Sequence, residues 1–251
     1  MSGALITGAT SGIGLEIARE LGSRGLDLVL VARDAERLAE VGEGLVGEYG
    51  VDVELLPADL TSPAGLGAVE RRVADDARRP LLWLVNNAGF GVKHSFAHSD
   101  VEAEQAMLDL LVTAPMRLTH AALPGMLDRG SGRVLIVSSV AAFLPGGTYS
   151  AAKAWATTFS ESLHEQYRKQ GIHVTALCPG YTHTEFHQRA SMDMHGVPGW
   201  LWLDAPDVAA AGVRACEQGK ALSVPGAIYR GLTGLGDVLP RSLVRRLAGA
   251  R

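Results

Sequence analysis

Leu5-Ile6-Thr7-Gly8-Ala9-Thr10-Ser11-Gly12-Ile13-Gly14 decides the fold of this chain. An apolar run breaks into a Gly-rich turn and resumes at helical spacing with Ile13, Ile17 and Leu21. Strand, tight turn and helix start are the parts of a phosphate cradle. The unpaired N–H groups and positive dipole end of a helix N-terminus face an anion, and Gly stands where a Cβ would hold the ligand away. The turn therefore opens the first βα unit of a sheet, with a dinucleotide expected across its carboxyl edge.

Outward from that turn, strand-like and helix-like runs alternate. Residues 4–7, 26–32, 51–56, 81–86, 133–138, 172–177 and 221–224 read as seven strands. Helices are expected at 12–24, after Asp34 as cap, after Ser62-Pro63, over about 99–129 with an irregularity at Pro115, over about 147–170 and over 205–217. Near-continuous apolar strands joined by helices imply a doubly wound parallel sheet, a Rossmann-type α/β fold, with its site at the carboxyl ends of the strands. No linker or repeat divides the 251 residues, so one domain is expected, with 192–203 as a substrate lid and 226–251 as a C-terminal extension.

Hydrophobic residues make up 47% and charged residues 20%, a globular composition. A net charge of −4 argues against a general nucleic-acid binder. Two cysteines, Cys178 and Cys216, both in apolar surroundings, argue against a disulfide framework and for a cytoplasmic chain. No secretory leader and no run near the roughly 18 to 20 residues that span a bilayer is evident.

Three further places carry chemistry. The second strand ends in Val31-Ala32-Arg33-Asp34, where an acid favours NAD and an Arg suits a ribose 2′-phosphate. Arg33 points to NADP(H), with NAD(H) still open, and Ser11 fills the turn position where a second basic residue could sit. Asn86-Asn87-Ala88-Gly89 follows the fourth strand, and small residues there allow close approach to a cofactor. Tyr149 and Lys153, at i and i+4, share one helix face beside Ser138-Ser139 at the end of the fifth strand. A phenol with a pKa near 10 is a poor acid–base group at neutral pH unless a nearby cation stabilises its phenolate.

Thr7-Gly8-x3-Gly12-x-Gly14, Asp59-Leu60, Asn86-Asn87-Ala88-Gly89, Ser139, Tyr149-x3-Lys153 and Cys178-Pro179-Gly180 occur in one order. Together, from residue 3 to about 225, they resemble the short-chain dehydrogenase/reductase family. The resemblance implies that Tyr149 exchanges a proton with the substrate oxygen, that Ser139 hydrogen-bonds that oxygen, and that Lys153 binds the nicotinamide ribose and lowers the pKa of Tyr149. It assigns Gly8, Thr10, Ser11, Gly12, Ile13 and Gly14 to the phosphate turn and Arg33, Asp59 and Leu60 to the adenosine. Asn87, Ala88 and Gly89 become a cofactor wall, and Pro179, Gly180, Thr182 and Thr184 line the nicotinamide and diphosphate. Relatives of this kind are commonly homodimers or homotetramers, built on the helices around Leu111 and Trp155.

Two departures from the family pattern stand out. The long helix carries Leu111 where the family usually has an Asn that holds a water linking the active-site Lys to solvent, so an impaired or rerouted proton relay is expected. The stretch from Ser139 to Tyr149 is shorter by about three residues than usual, which should open or reshape the pocket.

Phe90, Val92, Phe143, Leu144, Tyr181 and Phe186 are the expected pocket walls, so the substrate is expected to be an apolar carbonyl or alcohol. Trp200 and Trp202 either close that pocket or pack against the core or a second copy. The pairs His94/His98 and His183/His187 have metal-compatible spacing but lack a third ligand, so no metal is expected. The basic-apolar run at 239–247 reads as a solvated face rather than a membrane contact. Two other functions have less support in the sequence. Leu111 suggests a dinucleotide-binding regulator with impaired catalysis, against which the complete Ser139/Tyr149/Lys153 set stands. A Ser hydrolase lacks its G-x-S-x-G elbow.

Overall fold

The computed structural model describes residues 3–92, 96–186 and 196–238. Seven parallel strands form one sheet in the order β3-β2-β1-β4-β5-β6-β9. They are β1 Gly3–Thr7, β2 Asp27–Ala32, β3 Val53–Pro57, β4 Leu81–Asn86, β5 Gly132–Val137, β6 Ile172–Leu177 and β9 Leu222–Ser223. The order reverses between β1 and β4, so the crevice at their carboxyl ends is the switch point where doubly wound sheets bind ligands. A small ladder, β7 Thr182–His183 with β8 Leu203–Asp204, stands beside the main sheet.

Helices cover both faces: α1 Gly12–Gly22, α2 Ala35–Tyr49, α3 Pro63–Ala74, α4 Val101–Leu108, α5 Ala114–Asp128, α6 Gly147–Tyr167, α7 Ala205–Glu217 and α8 Ala227–Val238. The strands' two-residue period divides the core. Ile6, Leu30, Val85 and Leu135 join α1, α2 and α7 through Ile17, Leu38 and Val213. Leu5, Val29, Leu84 and Ile136 join α3, α5 and α6 through Val69, Leu118 and Ala156.

The local signals explain the helix ends. Asp34 accepts the Arg37 N–H at 3.1 Å and Ser62 accepts the Gly65 N–H at 3.1 Å, with Pro63 in the first turn of α3. A short 3-10 turn and then Gly171, at φ 78°, end the α6 stretch.

Two expectations need correction. The single helix over 99–129 is two helices, α4 and α5, separated by a π turn at Asp109–Thr113. The irregularity expected at Pro115 is this π turn, which ends two residues before it; the backbone is helical on both sides, and Pro115 has no N–H to give the preceding turn. Leu26 and Val51 precede their strands rather than belonging to them. The segment expected as a C-terminal extension begins with helix α8. The run at 239–247 lies outside the described residues. Among the described residues no helix is long and apolar enough to cross a membrane.

Candidate active site

The β1–α1 turn is shaped by backbone that only Gly accepts easily. Gly8 and Gly12 have φ of 66° and 54°. A Cβ on Gly8 would stand 2.9 Å from Ala88 Cα, and one on Gly12 would stand 3.0 Å from Thr184. Gly14 is buried one turn further in, where a Cβ would strike Asn87 and the Gly8 oxygen. Its part is therefore to let α1 approach the end of β4. The cap residue Ser11 makes no side-chain cap bond and the first turn of α1 carries no acid. The N-terminal amides thus face the cleft with the dipole unopposed.

Thr7 and Asn87 lock this turn to β4. The Thr7 hydroxyl accepts the N–H groups of Asn87 and Ala88 and donates to Val85 O. Neighbouring Asn86 points the other way and donates to Thr119 Oγ1 at 3.2 Å. It is a structural residue of α5 packing rather than a cleft wall.

One cleft of about 720 Å³ brings the predicted residues together. Gly8, Thr10, Ser11, Gly12 and Ile13 form one end with Arg33, Asp59 and Leu60. Asn87, Ala88 and Gly89 form its middle, and Pro179, Gly180, Thr182 and Thr184 its outer wall. Ser139, Tyr149 and Lys153 stand at the far end. Gly14 alone of the expected set is not in the lining, for the packing reason above. Asp59 accepts the N–H and hydroxyl of Thr61 at 3.0 and 2.8 Å. Those bonds, the backbone one foremost, and nearby Arg33 hold its carboxyl below the usual range.

The two serines after β5 part company. Ser138 is buried, donates to Lys153 O at 2.8 Å and meets Thr157 Oγ1 at 2.8 Å, so it fastens α6 to the strand end. Ser139 turns to the cleft. Its Oγ accepts the Ala141 N–H at 3.1 Å, which leaves its own proton for the Tyr149 hydroxyl. Burial pushes the Tyr149 phenol up from its ordinary value, and the Ser139 bond opposes that rise. Lys153 is 6% exposed, and burial draws its pKa down to about 8. Its Nζ donates to Val137 O at 2.7 Å and lies 5.7 Å from the Tyr149 ring centroid.

Sequence reasoning missed Arg37 and Tyr229. Arg37 lines the cleft beside Arg33, so Arg33 is not the only cation there; its i, i+4 spacing from Arg33 was the available signal. The Tyr229 hydroxyl accepts the Tyr181 N–H at 3.1 Å and donates to Leu201 O at 2.7 Å. A Cβ on Gly180 would run into the Tyr229 ring, so α8 braces the outer wall of the cleft.

The expected apolar walls are partly corrected. Phe90 and Phe186 line the cleft, and Phe186 packs on Tyr149 with ring centroids 5.9 Å apart. Val92, Phe143, Leu144 and Tyr181 are not in the lining. Val92 packs against Met107 and Leu111, Leu144 is exposed, and Tyr181 packs on Trp202. Trp202 also stacks on His183 at 4.6 Å, whereas Trp200 is 66% exposed. His94, His187 and residues 192–195 of the expected lid lie outside the described residues. Leu111 stands in the π turn, buried with Met107 and Ala152 against Tyr149. Cys178 and Cys216 are buried and unpaired with each other.

A sequence profile described as short chain dehydrogenase matches residues 2–195. The chain is 30% identical over 227 residues to an uncharacterized oxidoreductase of Staphylococcus saprophyticus, covering 88% of this chain and 93% of that protein. It is 33% identical over 197 residues to the very-long-chain 3-oxoacyl-CoA reductase of Anas platyrhynchos; that match covers 72% of this chain and only 60% of the relative. A solved short-chain dehydrogenase from Sphingobium yanoikuyae in complex with NADPH superposes with a TM-score of 0.86 at 35% identity, over 95% of this chain and 94% of that one.

Proposed function

The chain belongs to the short-chain dehydrogenase family, and from that premise we propose that it is an NADP(H)-preferring oxidoreductase that interconverts a carbonyl and an alcohol on an apolar substrate. One observation carries the reading: Ser139, Tyr149 and Lys153 line the same cleft as the phosphate turn and Arg33, with Lys153 Nζ 5.7 Å from the Tyr149 ring centroid.

The residues fit a dinucleotide. Gly8 and Gly12 let the turn pack closely on Ala88 and Thr184 at positive φ, and the α1 amides beside them offer donors to a diphosphate. Arg33 offers a cation to a 2′-phosphate, and the NADPH complex of the Sphingobium relative supports that preference; NAD(H) is the alternative cofactor. Gly8, Thr10, Ser11, Gly12 and Ile13 would hold the diphosphate, and Asp59 and Leu60 the adenine. Asn87, Ala88, Gly89, Pro179, Gly180, Thr182 and Thr184 would flank the remainder, with Lys153 on the ribose hydroxyls. When bound, the nicotinamide supplies the hydride that a carbonyl carbon takes up, or accepts it in reverse.

The chain's own part is orientation and the proton. The Tyr149 phenol is the acid that delivers H⁺ to the carbonyl oxygen during reduction; burial alone makes it a weaker acid, and the Ser139 proton and the charge of Lys153 work against that rise. The Ser139 proton steadies that oxygen as charge develops. Lys153, charged below a pKa of about 8, stabilises the phenolate left behind until solvent restores its proton. Phe90 and Phe186 shape an apolar approach to this point.

A second reading, a dinucleotide-binding regulator with impaired catalysis, draws on Leu111, which places a buried aliphatic side chain against Tyr149. For assembly we propose a homodimer or homotetramer. The exposed Val101 and Met116 of α4 and α5 and the stacked Trp155–Phe159 pair of α6 support contact between copies there, and light scattering tests it.

NADPH oxidation over a panel of ketones and aldehydes graded by apolar size tests the function. Turnover that rises with apolar size is expected. NADPH binding without turnover on any carbonyl would support the regulator instead, and a clear preference for small charged substrates would count against the apolar pocket.

A further inference from the structure

The adenosine end of the cleft has two rims. One is the first turn of α2, which carries Arg37; the other is the segment after β7, which carries Thr184, Glu185 and Phe186. Arg37 and Glu185 tie the rims together in a two-pronged ion pair. Nη1 donates to Oε2 at 3.1 Å, and Nη2 donates to Oε1. The two side chains are 36% and 40% exposed. Arg37 also lines the cleft four residues from Arg33, at the place where a dinucleotide presents its ribose 2′ group.

We propose that Arg37 is a second ligand for a ribose 2′-phosphate, held in reserve by Glu185, and that a 2′-phosphorylated dinucleotide exchanges the Arg37–Glu185 pair for an Arg37–phosphate pair. This rests on the NADP(H) reading of the same site. A guanidinium fork fits a carboxylate and a phosphate alike, but the phosphate brings more charge and a third acceptor oxygen. A half-exposed ion pair is weak, so it is readily given up. Asp34 does not compete as strongly, because its carboxylate is engaged as the α2 cap with the Arg37 N–H.

The exchange reaches the chemistry through the chain that Glu185 belongs to. Thr184 packs against the Gly12 turn, and the Phe186 ring packs on Tyr149. With an unphosphorylated ribose the strap between α2 and this segment stays fastened. With a 2′-phosphate it is released. Glu185 therefore lowers the affinity of the site for 2′-phosphorylated ligands and couples the identity of the cofactor to the segment beside the acid–base Tyr.

Calorimetric titration of the full chain with adenosine 2′,5′-bisphosphate and with adenosine 5′-monophosphate tests this. Glu185→Gln should tighten the bisphosphate about 5-fold and leave the monophosphate unchanged. Arg37→Ala should weaken the bisphosphate about tenfold, and Glu185→Gln should have no effect in that background. On the wild-type chain, hydrogen exchange at 182–186 should rise with the bisphosphate and not with the monophosphate. The proposal falls if Glu185→Gln moves both ligands alike or neither, or if exchange at 182–186 is indifferent to the 2′-phosphate. If wild type prefers the bisphosphate and Arg33→Ala alone removes that preference, the NADP(H) reading stands and the exchange does not. If wild type shows no preference, both fall.

Discussion

Asn87 and Thr7 grip each other in both directions. Asn87 Nδ2 donates to Thr7 O at 2.9 Å and to Gly8 O at 3.1 Å, while the Thr7 hydroxyl accepts the Asn87 N–H at 2.9 Å. Two strand ends that line the cleft are thus held by one pair of side chains. Asn87→Ala strands two carbonyl oxygens in a partly buried site, and a loss of about 1–3 kcal/mol is expected. Urea denaturation reads that loss. NADPH titration should show weaker binding in the same variant, since Gly8 and Ala88 are no longer fixed against each other.

Tyr149→Phe keeps the ring that packs on Phe186 and removes the only group proposed to deliver the proton. A fall in kcat of about 10²- to 10⁴-fold is expected, with NADPH affinity unchanged. Fluorescence titration beside steady-state kinetics separates the two. If the variant turned over like wild type, Tyr149 would not be the acid.

The fold and most of the site were legible because their signals are local. Gly8 and Gly12 mark positive φ within a few residues, and the period of Leu28 to Val31 or Val134 to Val137 marks a strand buried on both sides. What escaped depends on long-range placement. Nothing near Tyr229 says that its ring will lie under Gly180, 49 positions earlier in the chain. Pro115 marked the neighbourhood of the helix irregularity but not its form, since a missing N–H does not say that the preceding residues Asp109–Thr113 will wind as a π turn. The walls Val92, Leu144 and Tyr181 were misread because a loop's sequence does not say which side it presents to a cleft.

Lys153 makes stability depend on pH with a definite sign. The folded chain holds its proton only up to about pH 8, the unfolded chain up to the ordinary 10.5. Between those values the unfolded state binds more protons, so this residue's unfavourable contribution fades as pH rises from 8 to 10.5. At pH 7 the burial of its charge costs on the order of 3 kcal/mol, partly offset by the bond to Val137 O. Lys153→Met should therefore gain stability over wild type at pH 7, and most of that gap should be gone by pH 10. Guanidinium denaturation of both proteins at the two pH values checks it. A gap independent of pH would mean that the buried ammonium is not penalised.

Leu111 sets the last expectation. Its side chain is 3% exposed, and its Cδ2 lies 2.8 Å from where a Cβ on Gly89 would stand. That same point is 3.9 Å from Lys153 Nζ. An aliphatic group thus lies near Lys153 on the Gly89 side and offers no polar atom to a water. If return of the proton to Tyr149 is slowed by this lack, kcat in wild type should carry a normal solvent isotope effect. Leu111→Asn puts an amide at the same place. It should cost about 1–3 kcal/mol of stability if the amide lacks partners in that apolar cluster. It should also raise kcat and shrink the isotope effect, most visibly below pH 8, where Lys153 is charged. Turnover that stays the same at every pH, with an unchanged isotope effect, would show that the proton reaches Tyr149 by a route that does not pass Leu111.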